Sequence, residues 1–253
     1  MKQKIFSLLF LLNLMVQTAM GQANAAFPQL KWINLGQDAT YPDGKFGYDP
    51  AMFTYIGKEL QKLPKTDVCF EANNNDKYTL IGRYKTSSMK ESLNILFTPG
   101  ASGDPQFRIS DVGNKVLWEQ VADEMCINGN GVIYTAGNTD KMFNERRKYQ
   151  LSNTKVNETK QPFCYVGVKG KLLKPITLYT QKKGGTVVAN LPVGYEIEVL
   201  LAEEDYTAGE YGEGLPMNYL ARTAFGLVGW LRLTEDDIHN SNPVLRGLGY
   251  MGD

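Results

Sequence analysis

Nucleophilic catalysis by a cysteine needs a base to take the thiol proton and a setting that lowers the thiol pKa, such as a helix N-terminus. The chain offers one histidine, His239, and three cysteines, Cys69, Cys126 and Cys164. His239 lies in a turn-rich stretch, Asp236-Asp237-Ile238-His239-Asn240-Ser241-Asn242-Pro243, and no cysteine opens a helical pattern. A surface or capping role for His239 is therefore expected, not catalysis or metal binding. A serine nucleophile calls for a G-x-S-x-G elbow or an S-x-x-K pair, and a phosphate site for a glycine-rich loop opening a helix. Ser88-Met89-Lys90 and the glycines from Gly129 to Gly131 meet neither pattern. The cysteines lie far apart in sequence, without histidines beside them, which does not match a zinc site. Asn73 to Asp76 and Asp104 lack the spacing of a calcium loop and read as turn residues. Paired carboxylates of the glycosidase kind stay open, because any two of the many Asp and Glu can meet in space. The expectation is a non-enzymatic binding protein with no cofactor and no metal.

The elements that position such a protein begin with its amino terminus. Lys2 and Lys4 precede an apolar run from Ile5 to Val16, followed by small residues at Ala19, Gly21, Ala23 and Ala25. This is the layout of a secretory signal peptide over residues 1–25, with cleavage after Gly21 or Ala25. The run is well short of the ~20 residues that span a bilayer, and no later stretch is long and uncharged enough to do so. A periplasmic or secreted protein without a transmembrane segment is expected. Removing Lys2 and Lys4 takes the formal charge from zero to about −2, a balance that does not suggest nucleic acid. Outside the cytoplasm disulfides are permitted. A Cys69–Cys126 bridge is expected, since both cysteines end an apolar strand-like stretch that runs into an Asn/Gly turn, with Cys164 left as a buried free thiol.

Residues 26–168 read as a mainly β domain, antiparallel, with one helix near 50–63. Tyr41 to Gly47 is turn chemistry; Asp49-Pro50 then opens an apolar spacing at Phe53, Ile56, Leu60 and Leu63, ended by Pro64. Strands are expected at Tyr78 to Tyr84, Leu93 to Phe97, Phe107 to Val112, Val116 to Glu119, Val132 to Thr135, Arg147 to Leu151 and Phe163 to Val166. Asn/Gly/Asp turns such as Gly113-Asn114 and Asn128 to Gly131 separate them.

The remainder carries a family pattern. Leu178-Tyr179 is followed by Leu191-Pro192-Val193-Gly194, then Glu198-Val199-Leu200, and finally Gly226-Leu227-Val228-Gly229-Trp230. In this order and spacing, residues 172–233 resemble a bacterial SH3-like domain, which implies a small β-barrel and a cell-wall or peptide ligand. The middle departs from the family pattern: Glu203 to Asn218 is longer and more acidic than the usual turn. Independently of the resemblance, Ile197, Val199 and Leu201 alternate as one apolar strand face, and Trp230 is the large aromatic a small barrel needs inside or on its rim. Residues 234–253 form a tail too apolar, at Val244, Leu245, Leu248, Tyr250 and Met251, to be a free linker.

Charge is segregated along the sequence. Residues 141–183 hold eleven Lys and Arg against Glu145 and Glu158, whereas Gly184 to Leu220 holds acids and no Lys or Arg. Such a division can join two domains or present an acidic loop to a basic partner. Tyrosine gives large contact area at low entropy cost, so the expected ligand-binding residues are Tyr206, Tyr211, Tyr219 and Trp230, with Glu203, Glu204 and Asp205 beside them. Two functions fit. One is a cell-envelope binding protein whose SH3-like domain engages peptidoglycan or a protein ligand. The other is a periplasmic inhibitor or immunity protein that occludes a toxin or cell-wall hydrolase with its acidic loop.

Overall fold

A computed structural model describes residues 26–35, 44–56, 78–100, 103–152, 155–203, 207–209, 212–215, 217–239 and 241–252. The strands in chain order are β1 (Lys31–Asn34), β2 (Lys45–Tyr48), β3 (Phe53–Tyr55), β4 (Thr79–Tyr84), β5 (Leu93–Thr98), β6 (Gln106–Ser110), β7 (Val116–Val121), β8 (Glu124–Ile127), β9 (Val132–Gly137), β10 (Glu145–Leu151) and β11 (Val156–Glu158). They continue with β12 (Phe163–Lys171), β13 (Ile176–Gln181), β14 (Gly184–Leu191), β15 (Glu196–Glu203), β16 (Thr207–Gly209), β17 (Gly212–Leu215), β18 (Asn218–Thr223) and β19 (Val228–Arg232). One short helix, α1 (Glu235–Ile238), follows. The expected mainly β class holds.

Turn chemistry punctuates the strands as the residue types dictate. Asp111 Oδ1 accepts the N–H groups of Gly113 and Lys115, and Asn114 takes a left-handed φ of 64°. Asn128 Oδ1 likewise accepts from Asn130 and Val132, both at 3.0 Å. Short polar side chains that bond their own backbone make such turns cheap.

Three sheets result, in the orders β1-β2-β8-β9-β10-β11, β3-β4-β5-β6-β7 and β12-β15-β18-β19-β13-β14, together with a β16-β17 hairpin. The first two sheets share one core, in which Phe46, Met125, Ile127, Ile133 and Tyr149 meet Phe53, Ile81, Tyr84, Ile95, Phe107 and Ile109. The first sheet is not wholly antiparallel as expected, because β2 and β8 pair in parallel. A parallel pair needs a long crossover, and here the whole five-stranded sheet is that connection.

Two expectations around β2 and β3 are overturned. Lys45 to Tyr48 is a strand, not turn chemistry, since Phe46 and Tyr48 bury themselves in the core. The helical spacing from Phe53 is strand β3 at its start. Asp49 closes a turn, accepting from Ala51 N–H at its side chain and from Met52 N–H at its carbonyl, and sends Phe53 into pairing with Tyr84. Leu60 and Leu63 lie outside the described residues. So does Cys69, and with it the expected Cys69–Cys126 bridge; Cys126 is a buried thiol with no disulfide partner among the described residues. Cys164 is buried as well, its Sγ 3.8 Å from Glu145 Oε1.

The third sheet starts earlier than the sequence suggested. Phe163 to Lys171 is one continuous strand paired with β15, and its inward residues Cys164 and Val166 belong to the carboxy-terminal core. Met142 and Phe143, from the loop between β9 and β10, enter that same core. The tail packs back on it through Val244, Leu245 and Leu248, and Met251 bonds to Asp140 and Lys141 at 2.8 and 3.0 Å. His239 is the C-cap of α1 and bridges to Tyr250, in keeping with the capping role expected of it. Among the described residues no ladder joins β12 to β14, so the sheet is not a closed barrel. No helix of the described residues is long and apolar enough to cross a membrane.

Candidate ligand-binding face

Tyr179 on β13 and Trp230 on β19 lie on adjacent strands of the third sheet, and Leu201 lies on β15, with β18 between it and β19. Their registers align. Tyr165 opposes Leu201, Leu201 opposes Leu220, Leu220 opposes Trp230, Trp230 opposes Tyr179, and Tyr179 opposes Val187. These six side chains form one cross-strand row on the face away from the core. Five steps of about 4.8 Å make it about 24 Å long. Its ends are the most open, with Tyr165 56% and Val187 48% exposed.

Two local features put the row there. A register shift between Val199 and Leu201 in the β15–β18 pairing carries Leu201 to the outer face, while Ile197 and Val199 stay in the core. The expected single face of Ile197, Val199 and Leu201 is thereby broken, as a bulge re-aims the residues after it. Gly229 supplies the second feature. A Cβ there would lie 2.9 Å from Leu178 Cβ and 3.1 Å from the Tyr179 carbonyl, so glycine is what lets β19 close onto β13 and bring Trp230 beside Tyr179.

One edge of the row is charged and organised. Lys182 Nζ lies 2.9 Å from Glu203 Oε2, 5.1 Å from the Trp230 ring centroid and 5.7 Å from that of Phe163. The Phe163 and Trp230 rings sit 6.4 Å apart, tilted at 42°. The other Glu203 oxygen accepts from the Asn218 amide, which in turn accepts from Arg232 at 3.4 Å. An ammonium between two ring faces gains cation–π attraction in addition to its ion pair. On the opposite edge, Lys169 pairs with Glu196 at 3.0 Å and Arg222 pairs with Glu198. The segregation of charge along the sequence is therefore undone in space: the basic stretch meets the acidic one across β12, β15 and the β13–β14 turn.

The expected binding residues separate accordingly. Trp230 is half-buried on the outer row. Glu203 is buried and held by Lys182 and Asn218, so it anchors the edge and does not project as a loop acid. Tyr219 is corrected from a surface contact to a core residue: it is fully buried, edge-on to Phe143 at 6.3 Å, because it lies on the inner face opposite Ala202. Glu204, Asp205, Tyr206 and Tyr211 lie outside the described residues. Sequence reasoning passed over Phe163, Tyr165 and Lys182. The alternation Phe163-Cys164-Tyr165-Val166 signalled two aromatics on one outward face, but only the pairing of β12 with β15 shows which sheet they join.

Among the described residues no group of His, Cys, Asp and Glu is placed to hold a metal ion. The strongly raised ionisations are those of buried groups. Burial pushes the Cys126 thiol up to about 12, away from the range of a reactive thiolate. Burial likewise lifts the phenols of Tyr84 and Tyr149 to about 12. The chain matches no family model, no curated protein and no solved structure.

Proposed function

We propose that this is an exported binding protein that holds peptidoglycan along the outer face of its carboxy-terminal sheet, with that sheet acting as a bacterial SH3-like unit. The row from Tyr165 to Val187 carries the reading. Surface apolar residues are ordinarily scattered, and a continuous strip with charged borders marks a recognition surface. Aromatic side chains in a row on a sheet suit stacking against sugar rings. The ammonium, guanidinium and carboxylate groups along both borders suit the amines and carboxylates of peptide stems. The order of the Leu178-Tyr179, Leu191-Pro192-Val193-Gly194 and Gly226 to Trp230 segments on β13, β14 and the β18–β19 hairpin supports the family resemblance.

The test is sedimentation of the mature protein with insoluble peptidoglycan. Co-sedimentation lost in Trp230→Ala and Tyr165→Ala, with the thermal transition retained, supports the reading. A protein that stays in the supernatant and instead captures one stoichiometric envelope protein replaces it with the inhibitor or immunity function.

A further inference from the structure

A second recognition site lies on the amino-terminal unit. The first sheet buries one face in the core it shares with the five-stranded sheet. Its other face carries the register Trp32, Gly47, Cys126, Tyr134 and, beside it, Lys45, Glu124, Ala136, Arg146. A cavity of about 600 Å³ opens on this face, lined by Phe27, Trp32, Tyr134 and Arg146 among others. That volume is in the range of pockets that enclose a small organic molecule, roughly 300–1,000 Å³.

The floor depends on a glycine. A Cβ on Gly47 would lie 2.8 Å from Trp32 Cε2 and 2.9 Å from Cys126 Cβ, so the absent side chain is what lets the indole lie across the sheet. Phe27 and Tyr134 form an aromatic wall, their ring centroids 4.8 Å apart.

The polar groups are few and not all are used. Glu124 is neutralised by Lys45 at 2.9 Å. Arg146 is exposed, and its guanidinium meets the Tyr165 ring 6.0 Å away but no carboxylate among the described residues. The buried Nε1–H of Trp32 has no acceptor among the described residues. The site therefore combines aromatic surfaces with a cation that has no carboxylate partner among the described residues, and its one acid is already paired.

We propose that this cavity binds a small planar aromatic anion, its rings against Trp32 and Tyr134 and its charge met by Arg146. Stacking fixes the plane, and a charge-assisted hydrogen bond from a guanidinium fixes the acidic group. The site adjoins one end of the outer row of the carboxy-terminal sheet, where Arg146 lies 6.0 Å from the Tyr165 ring, but its aromatic surfaces are on the first sheet and it does not depend on that row's function.

The test uses two fluorescent probes of nearly the same shape, anilinonaphthalene sulfonate and the uncharged phenylnaphthylamine, titrated into the folded mature protein. Saturable binding of the sulfonate, weakened about tenfold by Arg146→Gln while the uncharged probe changes by less than about twofold, is the expected result. Tyr134→Ala weakens both probes, and Trp230→Ala changes neither. Arg146 is exposed, so its variant keeps the fold. Absence of saturable binding, equal affinity for the two probes, indifference to Arg146→Gln, or loss on Trp230→Ala would each overturn the proposal.

Discussion

Removing the hydroxyl of Tyr219 should stabilise the protein. The side chain is fully buried, and its hydroxyl is buried with no hydrogen-bond partner among the described residues. An unsatisfied hydroxyl in such a place costs about 1–3 kcal/mol of desolvation, whereas the ring itself packs against Phe143 and is retained in phenylalanine. Tyr219→Phe is thus expected to raise the unfolding free energy by about 1 kcal/mol and Tm by about 2–4 °C for a chain of this size. Urea and thermal unfolding followed by circular dichroism measure both. The pH dependence adds a second reading. Burial holds the Tyr219 phenol well above 10.0, and the nearby Glu145, Cys164 and Glu203 raise it further. The folded protein therefore keeps a proton that the unfolded chain releases, so stability is fully present below pH 10.0 and falls as pH rises above it. The phenylalanine variant escapes this loss, and its advantage should widen by up to about 1.4 kcal/mol per pH unit above that point. A variant less stable than the parent by about 1 kcal/mol would refute the reasoning, because it would mean that the hydroxyl is bonded, for instance through a buried water to one of those acids.

The parent protein should show an alkaline transition of its own. Cys126, raised by burial from 9.0 to about 12, and Tyr84 and Tyr149, raised from 10.0 to about 12, all keep protons the unfolded chain gives up. Stability is then flat up to about pH 9 and declines towards pH 12; melts that stay unchanged across this window would contradict it. Gly47→Ala drives a methyl into the Trp32 indole and Cys126, and should cost about 1–3 kcal/mol with a shift in tryptophan fluorescence. A neutral outcome means the indole moves aside freely. Lys182→Gln uncouples Glu203, whose side chain is 8% exposed, from an ammonium that is itself 38% exposed. The solvent access of the lysine reduces the loss to about 1 kcal/mol, not the 3–5 kcal/mol of a fully buried pair. Chemical denaturation distinguishes the two.

Local chemistry was sufficient for much of the β structure. Strands β4 to β7, β9 and β10 are short runs of strand-forming residues bounded by Asn, Asp and Gly, and the turns at Asp111 and Asn128 bond to themselves with no help from distant chain. Each of these features is complete within a few residues. The apolar tail was legible for a similar reason, since Val244, Leu245 and Leu248 have too much hydrocarbon to leave in water. Phe53 shows where local pattern fails: its spacing to Ile56 and Leu60 fits a helix, but one turn at Asp49 and a partner strand ending at Tyr84 are worth more than propensity.

By itself, then, the sequence determined that this chain makes strands and turns, which of its residues have no water-soluble alternative, and that catalytic groups are scarce. Only the tertiary structure decided the faces. A one-residue shift in pairing sends Leu201 outward and leaves Tyr219 inward, because successive side chains on a strand point to opposite sides. The folded sheet also brought Lys182 to Glu203 and Lys169 to Glu196 out of stretches segregated by charge, and its register laid six apolar side chains from six strands in one row. Such a row has no signature in the order of residues, since its members are joined by hydrogen bonds between strands and not by the chain.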